Sequence, residues 1–110
     1  MNIQIFGVPK CQATRKAERY FKERRIPFQL IDLTRKGMSQ GELDRVAAVV
    51  GLENLMDTTG KQYQKRNLKY LVHDPREELL NDPLLLKTPV VRNGSKATVG
   101  YQPEVWERWE

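Results

Sequence analysis

The side chain in this sequence best suited to covalent chemistry is the thiol of Cys11. It lies between an apolar segment typical of a β-strand and a basic segment with helical periodicity, which places it at or next to a helix N-terminus. The unpaired N–H groups and the dipole of a helix stabilise an anion there, and such surroundings lower a thiol pKa below its usual value of roughly 8.5. Lys10 and Arg15 would add positive charge, and the hydroxyl of Thr14 could donate a hydrogen bond to the sulfur. We interpret Cys11 as a reactive thiolate, because the alternative, an inert buried cysteine, fits poorly with polar and basic flanking residues.

The second feature is the dipeptide Thr88-Pro89, in which the proline opens a predicted strand after a helix-to-strand loop. This position is compatible with a cis peptide bond. Only about 5–6% of X–Pro bonds in folded proteins are cis, and a trans proline also starts strands. The residues alone therefore leave both conformations open.

The composition argues against several other kinds of site. One cysteine cannot form an internal disulfide, and together with a single histidine, His73, it is too small a set for a structural zinc site. No apolar run approaches the roughly 20 residues needed to cross a bilayer, and the N-terminal segment lacks the pattern of a secretion signal. We expect a cytoplasmic protein without a bound metal or cofactor.

The formal net charge of +5 is concentrated near the N-terminus. Residues 1–25 contain seven lysines and arginines against two glutamates, and most of these lie on one face of the first predicted helix. Such a face could attract nucleic acid or an acidic partner, but it is also what an ordinary solvated helix presents. The sequence has no signature of a nucleic-acid-binding module.

The elements that must position these residues follow the order βαβ, a helical middle, then ββα. Residues 1–6 and 28–33 have strand character, and the helix between them should bury a stripe formed by Ala13, Ala17, Tyr20 and Phe21. Parallel strands joined by a helix form a right-handed βαβ unit.

The rest of the chain is marked by capping and turn residues. Ser39 and Glu42 predict a capping box for a second helix that ends at Gly51. Shorter helices are predicted at 62–69 and 75–81, and Asn93-Gly94 predicts a type I′ hairpin turn between strands at 89–92 and 95–99. A last helix from residue 103 should bury Val105 and one of the two tryptophans. The predicted fold class is α/β: one domain over residues 1–110, with a thioredoxin-like four-stranded mixed sheet and a helical insertion at about 38–86.

Five segments, which together span nearly the whole chain, are similar to those of a known family: residues 6–17 (FGVPKCQATRKA), 26–28 (IPF), 58–67, 82–91 (DPLLLKTPVV) and 99–101 (VGY). They resemble the arsenate reductase (ArsC-like) family, which includes glutaredoxin-coupled arsenate reductases and Spx-type transcription regulators.

The resemblance implies a thioredoxin fold, a nucleophilic Cys11, a cis bond before Pro89, and a peptide or glutathione paired with the backbone of Thr88. The sequence also departs from the family. The arginines with which arsenate reductases hold the oxyanion are replaced by Thr58-Thr59, by Thr88 and by Gly100-Tyr101, so weak or no arsenate reduction is expected. Thr14 stands where Spx-type regulators carry a second cysteine, so the internal disulfide switch is absent.

Two functions from different classes follow from this comparison. The first is an enzyme: a thiol oxidoreductase in which Cys11 acts as nucleophile, Thr14, Lys10 and Arg15 support it, and glutathione, glutaredoxin or thioredoxin resolves the adduct. The second is a regulator that binds the α subunit of RNA polymerase through the basic first helix. A scaffold without chemistry of its own is the remaining alternative.

Overall fold

The computed structural model describes residues 1–109 and contains the predicted order of strands and helices. The strands are β1 (Ile3–Gly7), β2 (Phe28–Asp32), β3 (Val90–Asn93) and β4 (Lys96–Val99). The helices are α1 (Gln12–Glu23), α2 (Gln40–Val50), α3 (Lys61–Lys65), α4 (Pro75–Asn81) and α5 (Pro103–Glu107), with 3₁₀ turns at Leu52–Asn54, Leu68–Tyr70 and Pro83–Leu85. No helix in this part of the chain is long and apolar enough to span a membrane.

The four strands form one mixed sheet in the order β2-β1-β3-β4. β1 pairs in parallel with β2, with Ile5 opposite Leu30, and antiparallel with β3, with Ile5 opposite Val91. β3 and β4 form an antiparallel hairpin. The predicted α/β class and the mixed thioredoxin-like sheet are confirmed.

Both faces of the sheet are covered because side chains alternate along its strands. Ile3, Ile5 and Val91 pack on one face against α1 and α5, in a cluster that includes Tyr20, Phe21 and Trp106. On the opposite face Phe6 and Val90 pack against α2 and the helical segment that follows it. The Trp106 indole N–H donates to Thr98 Oγ1 at 2.8 Å, which ties α5 to β4.

The helix α1 is rotated slightly from the predicted orientation. Its buried residues are Thr14, Ala17, Tyr20 and Phe21, whereas Ala13 is only half-buried. The reason is the end of β1, where Gly7 has no side chain and leaves room for Thr14. A Cβ at Gly7 would overlap the Thr14 side chain.

The predicted capping box of α2 is present. Ser39 Oγ accepts from the Glu42 N–H at 3.1 Å, and Glu42 Oε1 accepts from the Ser39 N–H at 2.9 Å. The helix ends at Gly51, whose φ of +91° lies in the range that favours glycine. This helix packs against β4.

Three predicted features are corrected by the structure. The helix predicted at 62–69 divides into α3 and a 3₁₀ turn, because Asn67 between them is left-handed with φ +54°.

The hairpin turn has Gly94 and Ser95 at its centre, since Asn93 pairs with Lys96. Only Gly94 has positive φ, which is the type II′ pattern rather than type I′. Within the described residues α5 buries Trp106 and leaves Val105 and Trp109 half-buried.

The helical segment between β2 and β3 is closed by polar contacts and by a short ladder. Arg66 donates to Glu78 Oε1 at 2.6 Å and to Asp82 Oδ2 at 3.1 Å.

The short ladder consists of two backbone hydrogen bonds. The Asp57 N–H donates to the Leu85 carbonyl at 2.8 Å, and the Lys87 N–H donates to the carbonyl of residue 55 at 2.7 Å. This ladder fixes the chain immediately before Thr88.

Candidate functional site

Cys11 lies at the junction of β1 and α1, where the sequence predicts it. The chain leaves β1 after Gly7 and turns through Val8, whose carbonyl accepts from the Cys11 N–H at 3.1 Å. Cys11 is the N-cap residue of α1, with an extended backbone (φ −78°, ψ 118°), and its carbonyl accepts from the Arg15 N–H at 3.2 Å. Its side chain is half-buried and unbonded to another sulfur. The thiol therefore faces the free N–H groups at the start of a three-turn helix.

Thr88 lies just before β3, and its side chain contacts the thiol of Cys11. The peptide bond between Thr88 and Pro89 is cis, which confirms the conformation implied by the family resemblance. Thr88 Oγ1 donates to Cys11 Sγ at 3.0 Å, and the thiol lies 3.7 Å from the Thr88 carbonyl oxygen. Sequence reasoning gave Thr88 a role through its backbone alone and missed the hydroxyl, because no spacing in the sequence shows a contact between residues so far apart.

Thr14 lies under the thiol, on the buried side of α1. Its side chain is 1% exposed, and its hydroxyl has no hydrogen-bond partner of ordinary geometry within residues 1–109 while Cys11 is a neutral thiol. A hydrogen bond from this hydroxyl to the sulfur favours the thiolate and lowers the pKa of Cys11. A buried donor without another partner favours the charged form of a neighbouring acceptor.

These contacts determine whether the pKa of Cys11 is raised or lowered from its usual value. Burial of the sulfur raises the pKa, but it is outweighed by the hydrogen bonds from the side chains of Thr14 and Thr88 and from the backbone N–H groups of Thr14 and Ala13. The net effect is a pKa below the usual value of a thiol. Lys10 and Arg15 are both exposed, and the lowering comes from the hydrogen bonds rather than from these two cations.

The thiol opens onto a cleft of about 770 Å³ between α2, β4 and the start of α5. No arginine lines it, and its charged residues are Asp57 and Lys87. The sequence directed attention to Thr58 and Thr59 in the insertion loop, but these line a separate hollow with Tyr63 and Tyr70.

Asp57 is the loop residue that reaches the thiol's cleft. Its carboxylate is held in place because Oδ1 accepts from the N–H and the hydroxyl of Thr59, at 3.3 and 3.1 Å. No cluster of three metal-ligating side chains occurs within residues 1–109.

Comparison with known proteins assigns the chain to a family. A model of the ArsC family matches residues 6–109, so the chain belongs to the ArsC family. It is 30% identical to the uncharacterized protein YusI of Bacillus subtilis, over 97% of both chains. It is 29% identical to the global transcriptional regulator Spx 2 of Oceanobacillus iheyensis, over 94% of this chain and 80% of that protein. An arsenate reductase structure from Vibrio cholerae matches with a TM-score of 0.81 and 24% identity, over 98% of this chain and 97% of that one, which shows a shared fold.

Proposed function

We propose that this protein is a cytoplasmic thiol-dependent oxidoreductase of the ArsC family that uses Cys11 as its nucleophile. The observation that carries the proposal is the setting of the sulfur. Cys11 Sγ lies at a helix N-terminus, accepts a hydrogen bond from Thr88 Oγ1 at 3.0 Å beside a cis-proline, and has a lowered pKa. The thiolate is the reactive form of cysteine, so a lowered pKa increases the reactive fraction at neutral pH.

The reaction proceeds by two exchanges of sulfur partners. The Cys11 thiolate attacks one sulfur of a disulfide R–S–S–R′, so that a Cys11–S–S–R bond forms and R′–S⁻ leaves. The thiolate of glutathione, or of an external dithiol such as reduced glutaredoxin or thioredoxin, then attacks the R sulfur and returns Cys11 to its thiolate form. Because the chain carries one cysteine, the resolving thiol has to come from solution.

Each neighbouring residue has a defined part in this scheme. Thr14 and Thr88 donate hydrogen bonds to the thiolate, which lowers the pKa of Cys11. The backbone of Thr88, before Pro89, is the edge on which R docks. Lys10 and Arg15, both exposed beside the helix start, attract anionic thiols such as glutathione at long range.

Treatment with oxidised glutathione tests the first exchange. Mass spectrometry of the intact protein should find one glutathione per chain, attached to Cys11, and none on the Cys11→Ser variant. Turnover of a glutathione-linked disulfide with excess glutathione should be lost in the same variant. Protein dimers without any glutathione adduct would contradict the docking role of Thr88.

Arsenate should be a poor substrate of the same thiol. A planar arginine guanidinium offers two charge-assisted hydrogen bonds to an oxyanion, and no arginine lines the cleft beside Cys11. In an assay with glutathione and glutaredoxin we expect arsenate turnover near background. Robust turnover that requires Cys11 would refute this expectation.

A regulator of transcription is the second candidate. It is favoured by the match to Spx 2 over most of both chains and by the exposed cationic face of α1. The partner would be the α subunit of RNA polymerase, as the family resemblance implies.

Charge reversal separates this candidate from the enzyme. The C-terminal domain of the polymerase α subunit is presented at about 0.15 M salt, where non-specific attraction is screened beyond roughly 8 Å. Binding that is abolished by reversing Arg19, Lys22 and Arg25, but kept when Arg35, Lys36 and Lys96 are reversed, would establish the regulator. We expect no binding.

A further inference from the structure

We propose that the cleft beside Cys11 is a subsite for aliphatic side chains, and that the oxidised substrate is a peptide disulfide whose cysteine is flanked by aliphatic residues. This inference rests on the proposed function and specifies its substrate class. It names a docking surface that the thiol and the cis-proline do not define by themselves.

The lining of the cleft is the first argument. Five aliphatic residues from three elements line the same cleft as the thiol: Val49 and Val50 of α2, Ala97 and Val99 of β4, and Val105 of α5. Val49 is 52% exposed, which leaves apolar surface in water within the cleft onto which the thiol opens. Covering such surface is favourable in proportion to its area.

The charges of the cleft are the second argument. Asp57 and Lys87 line it and have opposite signs, so its charged side chains together offer an anion no net attraction. Its volume of about 770 Å³ lies within the roughly 300–1,000 Å³ typical of sites for organic ligands, and it is far larger than a small oxyanion requires. Both observations favour a bulky substrate without concentrated charge.

The backbone of Thr88 is the third argument. Its N–H makes no hydrogen bond within residues 1–109, and its carbonyl has only the long contact with the thiol, at 3.7 Å. Ionisation of Cys11 removes that contact. An extended peptide can then pair with both groups as an added strand, which holds its cysteine at Cys11 and its neighbouring side chains over the cleft.

The step to be measured is a single exchange. The Cys11 thiolate attacks the peptide sulfur of a peptide–thionitrobenzoate mixed disulfide. The bond between Sγ and the peptide sulfur forms, the original S–S bond breaks, and coloured thionitrobenzoate leaves with its electron pair. Since thionitrobenzoate is a good leaving group in every such peptide, differences in rate report how each peptide docks.

Two short peptides are compared, identical except that the cysteine is flanked by leucines in one and by serines in the other. With the unaltered protein we expect the leucine peptide to react about tenfold faster, which corresponds to about 1.4 kcal/mol. The double variant Val49→Ser/Val105→Ser should reduce this preference to less than about threefold. The matched control Leu71→Ser/Val72→Ser removes two exposed aliphatic residues that do not line the cleft, and it should keep the full preference.

The peptide-free reagent dithiobis(nitrobenzoate) provides a separate readout of the thiol. The control variant should react with it as the unaltered protein does, and circular dichroism spectra of both double variants should match that of the unaltered protein, which shows that the fold is intact. Equal rates for the two peptides, with fast reaction of this reagent, would overturn the aliphatic subsite and leave the oxidoreductase standing. A thiol that reacts with none of the disulfides would refute the proposed function itself.

Discussion

At the scale of single residues, the hydroxyl of Thr14 distinguishes the surroundings of this thiol from those of an ordinary helix start. It is buried, it lacks another partner within the described part of the chain, and its hydrogen bond to the sulfur favours the thiolate. The backbone N–H groups and Thr88 act in the same direction. The pKa of Cys11 is therefore set by contacts that can be removed one at a time.

Replacement of Thr14 by valine should raise the pKa of Cys11, because valine keeps the shape of threonine and removes the donor. Thr88→Val should act in the same direction. The rate of alkylation by iodoacetamide as a function of pH measures the midpoint in each protein, and at neutral pH both variants should be alkylated several times more slowly. Unchanged midpoints in both would mean that the side-chain hydrogen bonds do not set the pKa.

Gly7 should be as important as Thr14, although it does not touch the sulfur. In Gly7→Ala the new methyl group overlaps the Thr14 side chain, which has to move. We expect a loss of about 1–3 kcal/mol in the free energy of unfolding, as for other overpacked sites, together with a raised pKa of Cys11. Urea unfolding and the same alkylation series measure the two effects. A stable variant with an unshifted pKa would contradict this account of Gly7.

Sequence reasoning reached some of these residue-scale features but not others. Cys11 at a helix start followed from local periodicity, and the cis-proline followed from the resemblance of a short segment. The bond from Thr88 Oγ1 to Cys11 Sγ joins residues 77 positions apart, so it depends on how the sheet brings β1 and β3 together. Thr14 packs against Gly7 because of the way α1 is rotated about its own axis. The spacing of apolar residues along the helix does not determine that rotation.

At the scale of secondary-structure elements, α2 contributes both to the stability of the fold and to the cleft beside Cys11. Its capping box fixes where the helix begins, and its C-terminal residues Val49 and Val50 form one wall of the cleft beside Cys11. A change at its N-terminus is therefore expected to alter stability and to leave the chemistry of the thiol unchanged.

Ser39→Ala should lower the free energy of unfolding by about 1 kcal/mol, because it removes the acceptor for the Glu42 N–H. Ser95→Ala, at the exposed hairpin turn, is the control and should have little effect. Urea denaturation of the three proteins gives the comparison. A loss at Ser95 equal to that at Ser39 would argue against the capping box as a stabilising contact.

Helices whose ends are marked by capping residues or proline were predicted accurately. Features that depend on strand register or on a left-handed backbone were not. The capping box of α2 and the helix predicted at 75–81, which is α4, depend on local features and were correct. The hairpin turn moved by one residue because the register of β3 on β1 and β4 decides which residues lie at its centre. The break at Asn67 depends on a left-handed backbone that asparagine tolerates but does not impose.

At the scale of the whole molecule, the hydrogen bond from Thr88 to the Cys11 thiol connects the segment before β3 to the junction of β1 and α1. Thr88 reaches the sulfur only when the chain is folded, so the lowered pKa of Cys11 is a property of the folded state. Proton binding by this thiol and folding are therefore linked.

The linkage predicts how stability depends on pH. A lowered pKa in the folded state gives a stabilising contribution that is fully present above the unfolded pKa of roughly 8.5, and that is lost as the pH falls through the folded pKa. The difference in unfolding free energy between the unaltered protein and Cys11→Ser should therefore increase as the pH rises between these two values. Other titrating groups are common to both proteins and cancel. A difference that is independent of pH across this range would mean that folding does not lower the thiol pKa.

Thr14 lies one helical turn after Cys11 and carries no thiol, which also affects the kinetics of recovery from oxidation. A neighbouring cysteine would act at an effective concentration fixed by the fold, whatever the surroundings contain. Without one, a group attached to Cys11 leaves at a rate proportional to the concentration of free thiol around the protein. The modified fraction at steady state thus rises when external thiols become scarce and falls when they are abundant.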